Sequence, residues 1–364
     1  MRLALEPRPA SSRTALVAAP VVALALTALA GAALFAALGH PPLEALRVYF
    51  VSPLADAYAR SEVLVKAVPL ALIGTGLAVS FRAGVWNIGA AGQYVAGARA
   101  AGAFGLALPE GVYGLHWLGL YLAVGALGGM AWAAIPAYLR ARFSTNEILV
   151  SLMLAYVASL ALDWAVRGPL RDPAGFGFPQ SRDLPEAVVM PVIVEGTRLH
   201  AGLILAVAVA VVLAVMARAS LRGFSLDVLG ASPRAGAFAG FSRAGAVWFA
   251  LLLSGGLAGL AGAVEVSATV GQLQPDISSS YGFTAIIVAF LGRLDPLGAL
   301  LGAVVLAVTF IGGENAQIVL GLPRNATLVF QGMLLFFLLA AETGVRYRMR
   351  LKPAPKEAHR GAPA

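Results

Sequence analysis

Polar side chains are scarce in this sequence, and the most distinctive ones stand together in residues 87–99. Asn87, Gln93 and Arg99 lie among Gly and Ala residues. In an apolar setting such groups must find hydrogen-bond partners or face water. Asn87 and Gln93 therefore either line a solute pathway or bond to neighbouring groups in a helix packed through its small residues. Arg99 is expected to face a cavity, a partner or the outer interface.

A second polar group, Asn146 and Glu147, opens a later apolar segment. It follows Arg140 and Arg142 closely. Asn146 can cap a helix, and Glu147 would then lie in the first turn, where the helix dipole favours a negative charge. Capping alone explains both residues. The alternative is that Asn146 and Glu147 contribute to the same solute pathway.

Enzymatic chemistry finds no support in the sequence. There is no cysteine, and the four histidines are scattered without metal-ligand spacing. The sequence contains no GxxxxGK[ST] phosphate loop, no GxSxG and no HExxH. We therefore expect a protein that is not an enzyme, holds no cofactor or metal and does not bind ATP through a phosphate loop.

The elements that must position these polar residues are membrane-spanning helices. Hydrophobic residues make up 59% of 364 positions and charged residues 12%, against about 25% charged in soluble domains. A bilayer core about 30 Å thick requires roughly 20 apolar residues per helix. The sequence predicts an all-α polytopic membrane protein with about ten transmembrane helices. The candidate spans are 14–38, 63–80, 87–107, 113–139, 147–166, 201–217, 245–265, 282–291 with its flanks, 297–311 and 328–341.

The distribution of basic residues orients these spans. With the N-terminus inside, the inner segments hold 17 Lys and Arg and the outer segments hold 7, which favours an N-in, C-in topology because cytoplasmic loops collect basic residues. This topology divides the chain into a cytoplasmic N-terminus (1–13), a transmembrane domain (14–341) and a basic cytoplasmic tail (342–364). Within the domain, residues 167–200 form an extracytoplasmic loop and residues 218–244 a cytoplasmic one.

Two further patterns concern local structure. Ser232-Pro233 combines an N-cap residue with proline at the first helical position, which predicts a short helix from about 233 to 240. Residues 81–97 and 290–303 each carry an Arg in a tight turn followed by a Gly/Ala-rich helix. These two segments indicate a possible parallel internal repeat, of the kind found in transporters.

Four segments carry a resemblance to a known family. They read FRAGVWNIGAAGQ (81–93), STNEILVSLMLAYVA (144–158), GASPRAGAFAGFS (230–242) and YGFTAIIVAFLGRLDPLGALLGA (281–303). In sequence, order and spacing the chain resembles ABC importer permeases of the branched-chain amino-acid, simple-sugar and nucleoside type, and most closely the sugar/nucleoside branch. The likeness covers roughly residues 60–340.

The resemblance implies a function and a set of partners. Such a permease lies in the cell (inner) membrane and pairs with a second permease, a cytoplasmic ATP-binding subunit and an extracytoplasmic solute-binding lipoprotein, and it binds no nucleic acid. The solute would be a nucleoside or a simple sugar. A branched-chain amino-acid permease, an ion-coupled secondary transporter and a membrane scaffold remain alternatives.

The resemblance also implies residue roles. Residues 230–241 correspond to the coupling helix that docks into the ATPase. The residues concerned are Gly230, Ser232, Pro233, Arg234, Ala239 and Gly240. The chain departs from the family at two places, since related nucleoside-type permeases often carry an acidic residue at the position of Ala91 and a polar residue near Ala155.

The topology is testable with reporter fusions. A periplasm-active phosphatase fused within residues 167–200 should be active, and the same phosphatase fused within 218–244 should be inactive, because the first loop is predicted outside and the second inside. The reverse pair of activities would overturn the N-in, C-in orientation.

Overall fold

The computed structural model describes residues 2–7, 13–109, 111–277, 280–323 and 325–352. In these ranges the chain forms thirteen α-helices and two short strands. In chain order they are β1 (Arg2–Pro7), α1 (Arg13–Ala37), α2 (Pro42–Leu46), α3 (Ala57–Arg82), α4 (Ala90–Leu106), α5 (Leu115–Phe143), α6 (Glu147–Arg167), α7 (Gly202–Ala219), α8 (Leu221–Ala231), α9 (Pro233–Phe238), α10 (Arg243–Glu265), α11 (Tyr281–Leu291), α12 (Pro296–Leu320), α13 (Asn325–Arg346) and β2 (Tyr347–Lys352). Single turns of π- or 3₁₀-helix occupy Arg47–Val51, Ser52–Leu54, Glu186–Val188 and Val266–Val270.

Each of the ten predicted spans corresponds to one helix, which confirms an all-α polytopic membrane protein. In the described part of the chain, eight helices are long and apolar enough to cross a membrane, and α11 is a shorter apolar helix. The remaining predicted span, 87–107, corresponds to α4, which has 17 residues. The short helix predicted from Ser232-Pro233 is α9, and it ends two residues earlier than expected.

Short polar side chains define where many of these helices begin. At each such start a side-chain oxygen accepts a hydrogen bond from a backbone N–H two or three residues later, and so satisfies a donor that has no partner inside the helix. The capping residues are Asp56 for α3, Asn146 for α6, Ser220 for α8, Ser232 for α9, Ser242 for α10 and Asp295 for α12.

The chain divides into two compact units. The first consists of residues 1–43 and 328–364. In it, β1 pairs antiparallel with β2 from Arg2 opposite Lys352 to Pro7 opposite Tyr347. The α1 and α13 helices meet at Gly31, which lies against the ring of Phe330, and Phe35 stacks on the same ring with centroids 5.0 Å apart.

The second unit, residues 44–327, is organised around α10. Gly129 and Gly125 of α5 lie against the α10 backbone at Gly255 and Gly259: a Cβ atom added to Gly129 would lie 2.2 Å from the carbonyl oxygen of Gly255. On another side of α10, a Cβ added to Gly97 of α4 would lie 2.2 Å from the Gly259 Cα. Small residues spaced four apart allow helix backbones to approach this closely. These contacts show that α5 runs antiparallel to α10 and that α4 runs parallel to it.

The 167–200 loop is fastened to the end of α10. The backbone N–H of Ser181 donates to the carbonyl of Leu273 over 3.0 Å, and the N–H of Leu184 donates to that of Gly271 over 2.8 Å. In addition, Arg198 forms an ion pair with Glu62 near the start of α3. The loop therefore covers one end of the helix bundle in an extended, hydrogen-bonded conformation.

The glycine contact between α5 and α10 predicts the effect of a matched pair of substitutions. Gly129→Ala places a methyl group against backbone, and overpacking of this kind costs about 1–3 kcal/mol. Gly119→Ala on the same helix meets no heavy atom within 4 Å, and Ala is favoured over Gly inside a helix by roughly 0.5–1 kcal/mol. Thermal unfolding of the purified protein in detergent should show destabilisation by Gly129→Ala and none by Gly119→Ala. Equal melting temperatures for the two variants would contradict the close contact.

Candidate functional site

Asn87 and Gln93 form a closed hydrogen-bonded network deep in the second unit. The Asn87 Nδ2 donates to Gln93 Oε1 over 2.7 Å and to Ser254 Oγ over 2.8 Å, and Gln93 Nε2 donates back to Asn87 Oδ1 over 3.0 Å. All three side chains are buried. The network ties the start of α4 to α10, so in this conformation the two amides stabilise a helix contact.

Arg99 lies one and a half turns further along α4 and is separate from that network. It is half-buried. Neither a hydrogen bond nor an ion pair involves its side chain within the described ranges, which omit Glu110. The structure therefore does not bring Arg99 together with Asn87 and Gln93.

Asn146 and Glu147 occupy the turn between α5 and α6. The Asn146 side chain accepts from the N–H of Ile148 over 3.0 Å, as expected for an N-cap. Glu147 is buried and pairs with Arg140, whose Nε lies 3.1 Å from its Oε2. Arg140 also donates to the carbonyl of Thr145 over 2.9 Å. An ion pair between consecutive helices thus closes this turn.

The α8 helix is fixed to the turn that follows α3. Arg82, in the last turn of α3, donates through Nε to Asp227 Oδ1 of α8 over 2.8 Å, and its guanidinium makes a second bond to the same carboxylate. Gly230 lies against the Arg82 carbonyl, where a Cβ atom would come within 1.9 Å. The two hydrogen bonds between Arg82 and Asp227 fix α8 to the end of α3. Because Gly230 has no side chain, α8 can also lie in close contact with the motif that begins at Phe81.

A cavity of about 320 Å³ lies between the end of α3, the α5–α6 turn and the α8–α9 segment. Its lining includes Trp86 after α3, Arg140 and Glu147 from the α5–α6 turn, and Gly230 and Pro233 from α8 and α9. The structure therefore brings part of the predicted pathway group next to part of the predicted coupling group. Phe81 and Phe290, from the two halves of the possible repeat, also meet nearby, with ring centroids 5.7 Å apart.

Most of the predicted coupling residues lie on an exposed surface. Pro233, Arg234, Ala239 and Gly240 are exposed, and Gly240 has a φ of 83°. Beside them Phe238, at the end of α9, is 94% exposed. Phe238 thus adds a large apolar side chain to the exposed surface that carries the predicted coupling residues.

Sequence reasoning missed several charged residues that the fold pairs. Arg82 and Asp227 are 145 positions apart, so no local spacing could predict their contact. Lys66 of α3 pairs with Glu314 of α12, Nζ to Oε1 being 3.2 Å. The predicted span ends at 311 and therefore does not contain Glu314, whereas α12 continues to Leu320. Among the residues that the structure describes, no group of His, Asp and Glu could hold a metal ion.

Comparisons with known proteins agree on one family. The family described as "Branched-chain amino acid transport system / permease component" matches residues 59–339. The glucose ABC transporter permease protein TsgB13 of Haloferax volcanii is 34% identical over 361 residues, covering 96% of this chain and 94% of that protein. The guanosine ABC transporter permease protein NupP of Bacillus subtilis is 30% identical, covering 91% and 94%. The nucleoside ABC transporter permease protein NupB of Lactococcus lactis is 27% identical, covering 90% and 92%.

The closed amide network predicts a loss of stability when Asn87 is replaced. Asn87→Ala leaves Gln93 without its partner, and an unsatisfied buried polar group costs about 1–3 kcal/mol. We expect a lower melting temperature in detergent for Asn87→Ala and no change for the control Asn325→Ala, whose side chain is exposed. If Asn87 instead contacts solute, the melting temperature would be unchanged and transport by the assembled protein would fall.

Proposed function

This chain belongs to the branched-chain amino acid transport system permease family, and from that premise we propose that it forms half of the solute pathway of an ABC importer for a nucleoside or a simple sugar. It is an ABC transporter permease subunit, a multi-pass integral membrane protein and not an enzyme. Because it lacks a phosphate loop, the energy for uptake must come from another chain of the same transporter.

The solute class is supported by the relatives' names. The three relatives above are named for glucose, guanosine and nucleoside transport, and each aligns with nearly the whole of this chain. Glucose and nucleosides share uncharged, hydroxyl-rich chemistry. We therefore favour a neutral polyhydroxylated solute over a branched-chain amino acid, which carries both a carboxylate and an ammonium group.

We assign three partners to the subunit. A second permease would complete the pathway, a cytoplasmic ATP-binding subunit would drive it, and an extracytoplasmic lipoprotein would deliver the solute. The surface assigned to the ATP-binding subunit is α9 with the adjacent residues Gly230, Ala239 and Gly240.

The observation that carries the coupling assignment is the exposed Phe238 on a helix that is firmly attached to the bundle. Its side chain is 94% exposed. The helix before it, α8, is fixed to α3 by the Arg82–Asp227 ion pair. A displacement of a docked ATPase would therefore pull on the end of α3 and on the segment that leads into Asn87. Arg140 and Glu147 line the same cavity as Gly230 and Pro233, so the same displacement would change the surroundings of their ion pair.

Of the residues predicted for the pathway, Glu147 fits a gating role best. It is buried and ion-paired at the inner end of α6, next to the coupling helices. Breaking a buried ion pair is costly unless both charges gain water. The Arg140–Glu147 pair is thus suited to hold the inner end closed until the α8–α9 segment moves.

The coupling assignment predicts that Phe238→Ala disrupts assembly and not folding. We expect weaker co-purification of the ATP-binding subunit and at least tenfold slower ATP-dependent uptake, because an aromatic hot-spot residue contributes about 2 kcal/mol or more to binding, and about 1.4 kcal/mol corresponds to a factor of ten. The melting temperature of the isolated subunit should be unchanged.

The matched control is Phe176→Ala in the 167–200 loop, where Phe176 is 98% exposed. It removes the same side chain from a segment predicted on the other side of the membrane, so co-purification of the ATP-binding subunit should be normal. Equal retention of that subunit by Phe238→Ala and Phe176→Ala would remove the coupling role from α9.

A further inference from the structure

A partly exposed ion pair links two membrane-spanning helices, in the half of each helix that is predicted to lie towards the outside. Lys66 Nζ of α3 is 3.2 Å from Glu314 Oε1 of α12. The Lys66 side chain is 17% exposed and that of Glu314 is 48% exposed. Both residues belong to the 44–327 unit. No motif or predicted role accounted for this pair.

The pair lies some distance from the end of each helix. Glu314 precedes the end of α12 at Leu320 by six residues, which is about 9 Å at a rise of 1.5 Å per residue. Lys66 is nine residues beyond the start of α3 at Ala57. Both residues lie within helices that are long and apolar enough to cross a membrane.

The exposure of this pair is costly in lipid. Charged side chains inside a membrane face water, a partner or the interior of the bundle. A carboxylate offers about four acceptor positions and an ammonium group three donors. Within the described ranges, which omit Arg324, Lys66 is the only ion-pair or hydrogen-bond partner of Glu314, so most of the hydrogen-bonding capacity of its carboxylate is unused. Nearly half of the Glu314 side chain is exposed in this chain, so these acceptor positions are open to water or to a solute.

The neighbouring groups extend the same polar face. Asn315 donates to Ser52 Oγ over 3.4 Å, and Gln317 donates to the carbonyl of Gly313 over 3.2 Å. Phe310 lies one turn before Glu314 on the same side of α12. Its ring contacts Tyr281, with centroids 5.5 Å apart, and the Lys66 ammonium lies 5.9 Å from the Tyr281 ring centroid. A charge pair and aromatic rings thus occur side by side.

We propose that Lys66 and Glu314 line the outer half of the solute pathway and bind the hydroxyl groups of an uncharged, polyhydroxylated solute. This proposal rests on the proposed function and adds the residues and the solute chemistry. The pair offers a strong donor and a strong acceptor whose separation, 3.2 Å, is close to that between two neighbouring hydroxyl oxygens of such a solute. Its net charge is zero, so it gives a phosphorylated or otherwise charged solute no net attraction. Phe310 supplies an apolar surface for a ring face.

The first experiment asks whether Glu314 faces water, and it uses the absence of cysteine from this chain. In the transporter assembled with its partners, Glu314→Cys should react with a membrane-impermeant cationic methanethiosulfonate at least tenfold faster than Leu301→Cys. Leu301 lies on the same helix and is more exposed in the chain than Glu314, 71% against 48%, so slower labelling of Leu301→Cys would not come from burial in the chain. Labelling is measured on this chain, in the nucleotide-free and in the vanadate-trapped complex. Equal, slow labelling of both cysteines in both complexes would overturn the proposal.

The second experiment separates solute binding from a purely structural ion pair. Lys66→Met and Glu314→Gln should each reduce ATP-dependent uptake of radiolabelled guanosine or glucose at least tenfold. The exchanged variant Lys66→Glu/Glu314→Lys should fold to wild-type levels yet remain inactive, because donor and acceptor are interchanged relative to the solute. Recovery of uptake in the exchanged variant would show a structural pair and refute the assignment.

The two experiments also distinguish this proposal from the proposed function. Failure of the wild-type transporter to take up either probe would count against the solute class, while the cysteine labelling would still decide whether Glu314 lines a pathway. Conversely, uptake by the wild-type protein together with an unreactive Glu314→Cys would retain the importer function and exclude this face as its route.

Discussion

Backbone contact between α5 and α10 sets the geometry of the 44–327 unit, because glycine removes the side chains that would otherwise separate the two helices. Gly129 and Gly125 face Gly255 and Gly259 so closely that added methyl groups would overlap backbone atoms. The same vacancy at Gly255 leaves space beside Gln93, whose Cδ would lie 3.4 Å from an added Cβ atom. The amide network therefore lies directly beside the glycine crossing.

A crossing of this kind is rigid, and it divides the polar groups between the two ends of the bundle. With backbone against backbone there is little room for α4, α5 and α10 to slide, so a motion that opens one end must carry them together. The end predicted to face the cytoplasm holds the Arg82–Asp227 and Arg140–Glu147 pairs. The end predicted to face outward holds the pairs Arg198–Glu62 and Lys66–Glu314. Ion pairs can exchange their partners for water, which glycine contacts cannot, and this makes the ends the movable parts.

The number and location of the helices could be predicted because apolar runs of about 20 residues have few explanations other than a membrane span. The start of α9 could also be predicted, since Ser232 and Pro233 are local signals. The end of α12 could not be, because Glu314 and Asn315 interrupt the apolar run even though the helix continues. Pairing across the chain, as between Arg82 and Asp227, leaves no trace in spacing. The sequence also left open whether Asn87 and Gln93 serve packing or transport, because both roles require the same polar side chains.

Ala91 and Ala155, the two positions at which the resemblance implies a departure from related nucleoside-type permeases, lie at close contacts between helices. Ala91 is buried against Gly282, where an added Cβ atom would come within 2.2 Å of the Ala91 nitrogen, and Ala155 is buried against Gly92 at a similar distance. In this structure α4 therefore packs closely against α6 and α11 at these two positions. The solute contacts that we propose lie on a different face of the bundle, where the Glu314 side chain is 48% exposed and paired with Lys66.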